Sequence, residues 1–242
     1  MGKILVTGAT SGIGKATVSA LLEAGYDVVA LGRDASKISD LSGNQHLSFH
    51  SIDLTTEVNR LEEVLADGLA GEGKYQGMVH CAGVEETTPL SLCDQDNIQR
   101  IYDINVFSGI QLLRVFSKKK FSENGSSVIM MSSVMGMLGQ AGKVGYCSSK
   151  AAVLGIVKSA ALELSRRQIR VNALLPGIVE TPMTQELFAS LSQENAEEIK
   201  RMHPLGIGKV EDVVPTILFL IGNGSKWITG QSLVLDGGYS IH

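Results

Sequence analysis

The chain has 242 residues, a hydrophobic fraction of 44% and a formal net charge of -4. That length suits one large α/β domain or two small ones and is enough to bury a full core. The near balance of charge gives no reason to expect nucleic acid or an acidic membrane surface as a partner.

In chain order, short apolar runs alternate with longer segments of helical period. Strands are expected at Lys3–Thr7, Asp27–Gly32, Leu47–Ile52, Met78–Cys81, Val128–Ser132, Val171–Leu175 and Ser232–Leu235. They are rich in Val, Ile and Leu and mostly lack alternation, as strands buried on both faces do. Helices are expected near Gly12–Ala24, Val58–Leu69, Asn97–Phe121, Gly145–Ser165 and Val210–Ile221. The alternation predicts one doubly wound parallel sheet of about seven strands, a Rossmann-type α/β domain over residues 1–242. Gln185–Arg201 is a polar, helix-favouring insertion, read either as a lid or as a surface helix. Lys118-Lys119-Lys120 reads as a solvated helix end.

Cys81, Cys93 and Cys147 lie far apart without Cys-x-x-Cys, and the five histidines form no His-Glu-x-x-His. No disulfide framework and no metal site are expected, and a reducing compartment is favoured. Met1-Gly2-Lys3 leads at once into an apolar strand, and no apolar run reaches the roughly 18 residues of a membrane span. A soluble cytoplasmic protein is expected.

The first strand runs into Thr7-Gly8-Ala9-Thr10-Ser11-Gly12-Ile13-Gly14 and then a helix. Glycines there let the backbone turn tightly and approach a pyrophosphate, whose charge the helix N-terminus stabilises. A P-loop is excluded, since Ala9 stands where its first glycine should be and Ala16 follows Lys15. In a doubly wound sheet, ligands bind beyond the carboxyl ends of the strands. Gly8, Arg33, Asp53, Cys81-Ala82-Gly83, Ser133 and Pro176-Gly177 all lie at or just past such ends, so one rim should collect them.

The second strand ends Gly32-Arg33-Asp34. An acid at such a strand end bonds the ribose 2′-hydroxyl of NAD, whereas an arginine accepts the 2′-phosphate of NADP. Gly32 leaves room for a phosphate and the Arg33 guanidinium can meet it with a forked contact. The alternative is that Arg33 is a solvated loop charge and Asp34 binds the cofactor. Asp34 also reads as a helix N-cap. NADP(H) is therefore the expected cofactor, with NAD(H) as the alternative.

The spacing Thr-Gly-x-x-x-Gly-x-Gly resembles that of the short-chain dehydrogenase/reductase family. Ser133, Tyr146 and Lys150 match its Ser…Tyr-x-x-x-Lys set, with the serine thirteen residues ahead of the tyrosine. Asn105 resembles the asparagine completing the family's catalytic tetrad. Asp53, Pro176-Gly177, Ile228-Thr229-Gly230 and Asp236-Gly237-Gly238 fall in family order. His80-Cys81-Ala82-Gly83 stands where the family has Asn-Asn-Ala-Gly, and His80 reads as a satisfied structural histidine. The resemblance implies a cofactor site built from Gly8, Thr10, Ser11, Gly12, Ile13, Gly14, Arg33, Asp53, Leu54, Cys81, Ala82, Gly83, Tyr146, Lys150, Pro176, Gly177, Val179 and Thr181. It implies a homotetramer through the helices near Asn97–Phe121 and Gly145–Ser165.

Tyr146 and Lys150, four apart on a helix, share one face. A lysine cation about 5 Å away, at an effective dielectric of about 20, favours the phenolate by roughly 3 kcal/mol, or about two pKa units. The expected roles are proton transfer at Tyr146, a hydrogen bond from Ser133 to the carbonyl oxygen, and anchoring of the nicotinamide ribose by Lys150. Asn105, by resemblance, supports a water-linked proton path behind Lys150. Asn105 also has a plain reading, as an asparagine bonded to neighbouring backbone. Met130 and Met131 are expected in the core, and Met135 and Met137 along an adaptable pocket.

The closest pattern is that of 3-oxoacyl-acyl-carrier-protein reductases. The expected substrate is a small-molecule carbonyl or alcohol, carrier-protein-bound in that group. Arg167 matches one docking arginine there, but Asn124 stands at the other docking position, where Lys118–Lys120 could substitute. A dehydrogenase of a sugar, polyol or other small alcohol, and a non-catalytic NADP(H) sensor, are the other readings.

Overall fold

The computed structural model of the chain describes residues 2–70, 73–189 and 191–241. Its strands are β1 (Lys3–Thr7), β2 (Asp27–Gly32), β3 (Leu47–Ser51), β4 (Tyr75–His80), β5 (Ser122–Met131), β6 (Arg170–Pro176) and β7 (Ser232–Leu235). They form one sheet in the order β3-β2-β1-β4-β5-β6-β7, parallel at every pairing. Helices α1 (Gly12–Glu23) and α8 (Val210–Ile221) cover one face, where Ile4, Val28, Leu21 and Ile217 form a buried core. Helices α2 (Leu61–Leu69), α3 (Gln95–Tyr102), α4 (Ser108–Phe116) and α5 (Val144–Leu164) follow β3, β4 and β5. Leu65, Phe116, Val153 and Met78 belong to the second core, on the other face. Among the described residues, no helix is long and apolar enough to cross a membrane.

The strand order reverses between β1 and β4, and such a reversal opens a crevice at the carboxyl ends of the strands. Here the two rims close to backbone contact. Cys81 N–H donates to the Thr7 carbonyl at 3.3 Å. Gly8 has φ of 64°, and a Cβ on it would lie 2.7 Å from the Ala82 nitrogen. Only glycine fits this conformation and this gap.

A chain of side-chain bonds ties the crevice to the helices behind it. Ala82 N–H donates to Thr7 Oγ1 (3.3 Å), and the Thr7 hydroxyl lies 2.7 Å from His80 Nδ1. His80 Nε2 lies 3.4 Å from Ser108 Oγ, whose proton goes to the Ile104 carbonyl at 2.6 Å. With the serine proton committed, the ring fits as a neutral Nε2–H donor whose Nδ1 accepts from Thr7. His80 is a structural histidine, as its place in the sequence suggested.

Several elements depart from the sequence expectation, β4 among them, which starts at Tyr75 rather than Met78. The helix predicted over Asn97–Phe121 is α3, a π turn at Asp103–Phe107, and α4, ending at Phe116. The chain then turns through Lys118 so that Phe121 is buried at the foot of the sheet. Strand β5 begins six residues early because polar Ser122 pairs with Tyr75 across a register shift. The polar stretch Gln185–Arg201 lies in two helices, α6 (Pro182–Ala189) and α7 (Gln193–Arg201).

Burial, aided by the charge of Lys150, lowers the pKa of His80 to about 3. The unfolded chain binds a proton there below about 6.5, so stability is lost as pH falls from that value toward the folded pKa. The expected slope is roughly 1.4 kcal/mol per pH unit inside that window. His80→Asn should flatten the acid limb in urea titrations between about pH 6 and pH 4. An unchanged limb would mean that the ring is already protonated in the folded protein.

Candidate active site

The glycine turn forms a cradle at the N-terminus of α1. The first N–H groups of a helix have no intrahelical partner, and Ser11 makes no side-chain cap bond to occupy them. A Cβ on Gly14 would lie 2.2 Å from the Gly8 carbonyl oxygen, so the helix sits directly on the strand end. Gly8, Thr10, Ser11, Gly12, Ile13 and Gly14 all line a cavity of about 500 Å³. Backbone donors, a positive helix end and room left by missing Cβ atoms suit a pyrophosphate.

At the end of β2, Arg33 is exposed on the cavity rim, and its guanidinium has no hydrogen-bonded partner among the described residues. Asp34 accepts from Ser36 N–H (3.0 Å) and Ser36 Oγ (2.6 Å), capping the 3₁₀ turn Ala35–Leu41. Its carboxylate is thus accounted for without a ligand. Gly32 is constrained by its neighbour: a Cβ there would meet Thr10 Cγ2 at 2.6 Å. The room expected at Gly32 is therefore taken by Thr10, and a longer side chain would displace it. Asp53 and Leu54 follow β3 on the same rim. Bonds from Thr55 Oγ1 (2.6 Å) and Thr55 N–H (2.8 Å) hold the Asp53 carboxyl below its usual range.

Cys81, Ala82 and Gly83 line the middle of the cavity, and Pro176, Gly177, Val179 and Thr181 its far side beyond β6. Ser133 and Tyr146 lie between. Ser133 caps the 3₁₀ turn Val134–Gly136 by accepting from Met135 N–H at 3.2 Å, which leaves its proton to donate. Lys150 is buried, donates to the Met131 carbonyl at 3.0 Å, and sits 5.8 Å from the Tyr146 ring centre. Gly83 keeps this corner open: a Cβ on it would be 3.1 Å from Asn105 Oδ1 and 3.2 Å from Lys150 Nζ.

The electrostatics of Tyr146 run opposite to the sequence expectation. Burial, helped by the Glu85 charge, pushes its phenol up to about 12 against a hydrogen bond from Ser133 that lowers it. Burial likewise draws Lys150 down to about 8. The simple two-charge sum failed because desolvation penalises both ions at once.

Asn105 sits in the π turn behind the cavity wall rather than on it. Its Oδ1 accepts from Val84 N–H (2.8 Å), and its Nδ2 donates to the Val84 carbonyl (2.9 Å) and Ser149 Oγ (3.0 Å). These partners lie 21 and 44 residues away, so Asn105 does not make the local bond to neighbouring backbone that an asparagine inside a helix can make; it links the loop after β4 to α5.

Several cavity residues escaped the sequence reading. Met135, as expected, lines the cavity, as do the apolar Met183, Leu187 and Ile199 and Tyr239, whereas Met137 is 54% exposed and is not part of the lining. Glu85, Arg100, Gln140 and Lys143 form a polar side. Lys143 pairs with Glu85, and Arg100 pairs with Glu86. The available signal was spacing: Lys143 stands one helical turn before Tyr146, and Glu85 two residues past Gly83. Of the cations considered for docking, Arg167, Lys118 and Lys120 are bonded within the chain, and Lys119 has no such partner among the described residues. Arg167 donates to Asn124 Oδ1 (3.0 Å), to Ser122 Oγ (3.1 Å) and to the carbonyls of Ser117 and Ser122. Lys118 and Lys120 both pair with Glu62.

Residues 8–240 match the family model described as enoyl-(acyl carrier protein) reductase. The 3-oxoacyl-[acyl-carrier-protein] reductase of Thermotoga maritima is 33% identical over 246 residues, covering 99% of this chain and 98% of that one. Carbonyl reductase family member 4 of Xenopus laevis is 31% identical over 240 residues, covering 98% and 97%. Among solved structures, ElxO with NADP bound superposes with a TM-score of 0.88 at 26% identity, covering 100% of both chains. 4-Hydroxyisoleucine dehydrogenase complexed with NADH gives 0.89 at 26%, again covering 100% of both.

The three bonds of Asn105 yield a stability prediction. Asn105→Ala leaves the Val84 N–H and carbonyl without that partner; both are only part-buried, so their combined cost is about 1–3 kcal/mol, that of one fully buried unsatisfied group. Urea unfolding should show a loss in that range. A loss below about 0.5 kcal/mol would mean that water replaces the amide freely.

Proposed function

The chain belongs to the short-chain dehydrogenase/reductase family of oxidoreductases, and from that premise we propose that it is an NADP(H)-dependent carbonyl reductase. The observation that carries the proposal is that Tyr146, Ser133 and the buried Lys150 line one cavity together with the glycine cradle. A nicotinamide cofactor held along that cradle supplies the hydride. Tyr146 gives its hydroxyl proton to the carbonyl oxygen in reduction and takes it back in oxidation. Ser133 donates a hydrogen bond to the same oxygen. The phenolate left on Tyr146 is stabilised by the Lys150 ammonium, which offsets the burial that otherwise keeps Tyr146 neutral. Lys150 has a second role in holding the nicotinamide ribose. Asn105 holds Val84 and Ser149 behind this corner and supports the path by which Lys150 exchanges protons.

The choice of cofactor rests on Arg33. One solved neighbour carries NADP and another NADH, so likeness to them does not choose. A rim guanidinium with no hydrogen-bond partner among the described residues, only the nearby charge of Asp53, favours a 2′-phosphate, since Gly32 puts no acid on the strand end and Asp34 is used as a cap.

The curated relatives support a 3-oxoacyl thioester as substrate. A second reading, a small polar carbonyl compound, is favoured by the internal bonding of Arg167 and the polar cavity side. A homotetramer is supported by family likeness and by exposed Phe107, Ile110 and Leu162 on one flank, with Phe219, Trp227 and Val234 near α8 and β7.

Arg33→Ala should weaken NADPH binding by roughly 10- to 150-fold, the worth of a charged hydrogen bond, while NADH binding changes little. Fluorescence titration with both cofactors measures this, and equal losses would mean that NADP(H) is not selected here.

Tyr146→Phe keeps the ring and removes only the hydroxyl. Turnover of a carbonyl substrate should fall by about 10²–10⁴-fold, with NADPH affinity scarcely altered. A phenylalanine variant that reduces the same substrate at near wild-type rate overturns the mechanism.

A further inference from the structure

We propose that Glu85 and Lys143 form a specificity-determining pair selecting carbonyl substrates with a neutral donor–acceptor group, a hydroxyl or carboxamide, beside the reacting carbon. The inference rests on the carbonyl-reductase reading above and deepens it.

Lys143 is the N-cap residue of α5, yet it makes no side-chain cap bond there. Helix stability asks for Ser, Thr, Asp or Asn at that place, and a cation at a helix N-terminus is unfavourable. The side chain is nevertheless only 5% exposed and its partner Glu85 only 15%. Burying two opposite charges is itself costly. A residue that breaks local preference on a cavity wall is best explained by what the cavity holds.

The pair is held rigidly and is not saturated. Thr88 N–H donates to the Gly142 carbonyl at 2.7 Å, stitching the loop after β4 to the loop before α5. Gly142 has φ of 78°, and a Cβ on it would lie 3.0 Å from Thr87 Cγ2, so the two loops pack closely. Lys143 and Thr87 Oγ1 both donate to the same carboxylate oxygen, Glu85 Oε1. An ammonium has three donors and a carboxylate two oxygens. Two ammonium protons and Glu85 Oε2 thus have no hydrogen-bond partner among the described residues. Lys143 Nζ lies 5.7 Å from the Tyr146 ring centre. It approaches from the turn before Tyr146, and Lys150 from the turn after.

A group seated against this wall meets a donor and an acceptor together. A hydroxyl or an amide satisfies both. A plain alkyl group removes water from both and replaces neither bond. A carboxylate gains Lys143 but meets the Glu85 charge, since the pair is neutral as a whole.

The test compares acetoin and acetoacetamide with butanone, and includes acetoacetate as the anionic arm, all with NADPH. In the wild type, kcat/KM for the hydroxyl or amide compound should exceed that for butanone by about 10- to 150-fold. In the double variant Glu85→Leu/Lys143→Met that ratio should collapse toward one. If the double variant fails to bind NADPH, Lys143→Gln carries the test, with a fall in the same ratio of about tenfold or more. A ratio unchanged in the variants, or a wild type that prefers butanone or acetoacetate, overturns the pair's role while leaving carbonyl reduction standing. A wild type that reduces none of the four yet reduces a 3-oxoacyl thioester with NADPH overturns this inference alone, and one that reduces neither overturns the carbonyl-reductase reading with it.

Discussion

The site depends on two strand ends brought into backbone contact. At the point where the sheet reverses its order, β1 and β4 converge so closely that residue 8 has no room for a side chain. That approach fixes where the first turn leaves the sheet and hence where α1 points. It also aligns Thr7, His80 and Ser108 into a bonded row reaching Ile104, next to Asn105. Asn105 in turn grips Val84 on the β4 loop and Ser149 on α5, one residue before Lys150. The cradle and the Tyr146 corner are thus two ends of one rigid frame, and a change at Gly8 would be felt at both.

Rigidity of this sort has an electrostatic consequence. A frame that excludes water keeps Tyr146 protonated and draws Lys150 toward neutrality. A phenol pushed up to about 12 is a reluctant acid in the ligand-free protein. It becomes useful only when a positive charge or a strong hydrogen bond arrives beside it, which ties proton transfer to occupancy of the cavity. Ser133 is already arranged for this, with a lone pair engaged by Met135 N–H and its hydroxyl bonded to Tyr146.

What the sequence disclosed was local. The glycine turn, the Tyr-x-x-x-Lys spacing and the Gly-Arg step each lie within a few residues, and strand ends converge on one rim by topology alone. What it hid was tertiary. The Glu85–Lys143 pair joins segments 58 residues apart, so neither residue announces the other. The early start of β5 depends on the pairing of Ser122 with Tyr75, and the broken helix on the need to bury Phe121. The direction of the Tyr146 shift was missed for the same reason, since burial is a property of the finished fold.

The same distinction bears on how substrates are told apart. Arg167 looks like a docking residue in sequence, but its guanidinium is bonded across to Ser117, Ser122 and Asn124. Removing a charge so bonded would loosen the start of β5 before it weakened any carrier protein. Lys118 and Lys120 share Glu62 in a similar way. In the carbonyl-reductase reading discrimination falls to the cavity as well, whose lining includes the apolar Met135, Met183 and Ile199 and the polar Glu85, Arg100, Gln140 and Lys143. Arg100 is held by Glu86, so the partly satisfied Glu85–Lys143 pair is the part of that wall best able to reward one substituent over another. Selection by an unsaturated, buried, neutral pair is strict in one respect: a substrate that cannot complete its hydrogen bonds must bear the cost of leaving them unmade.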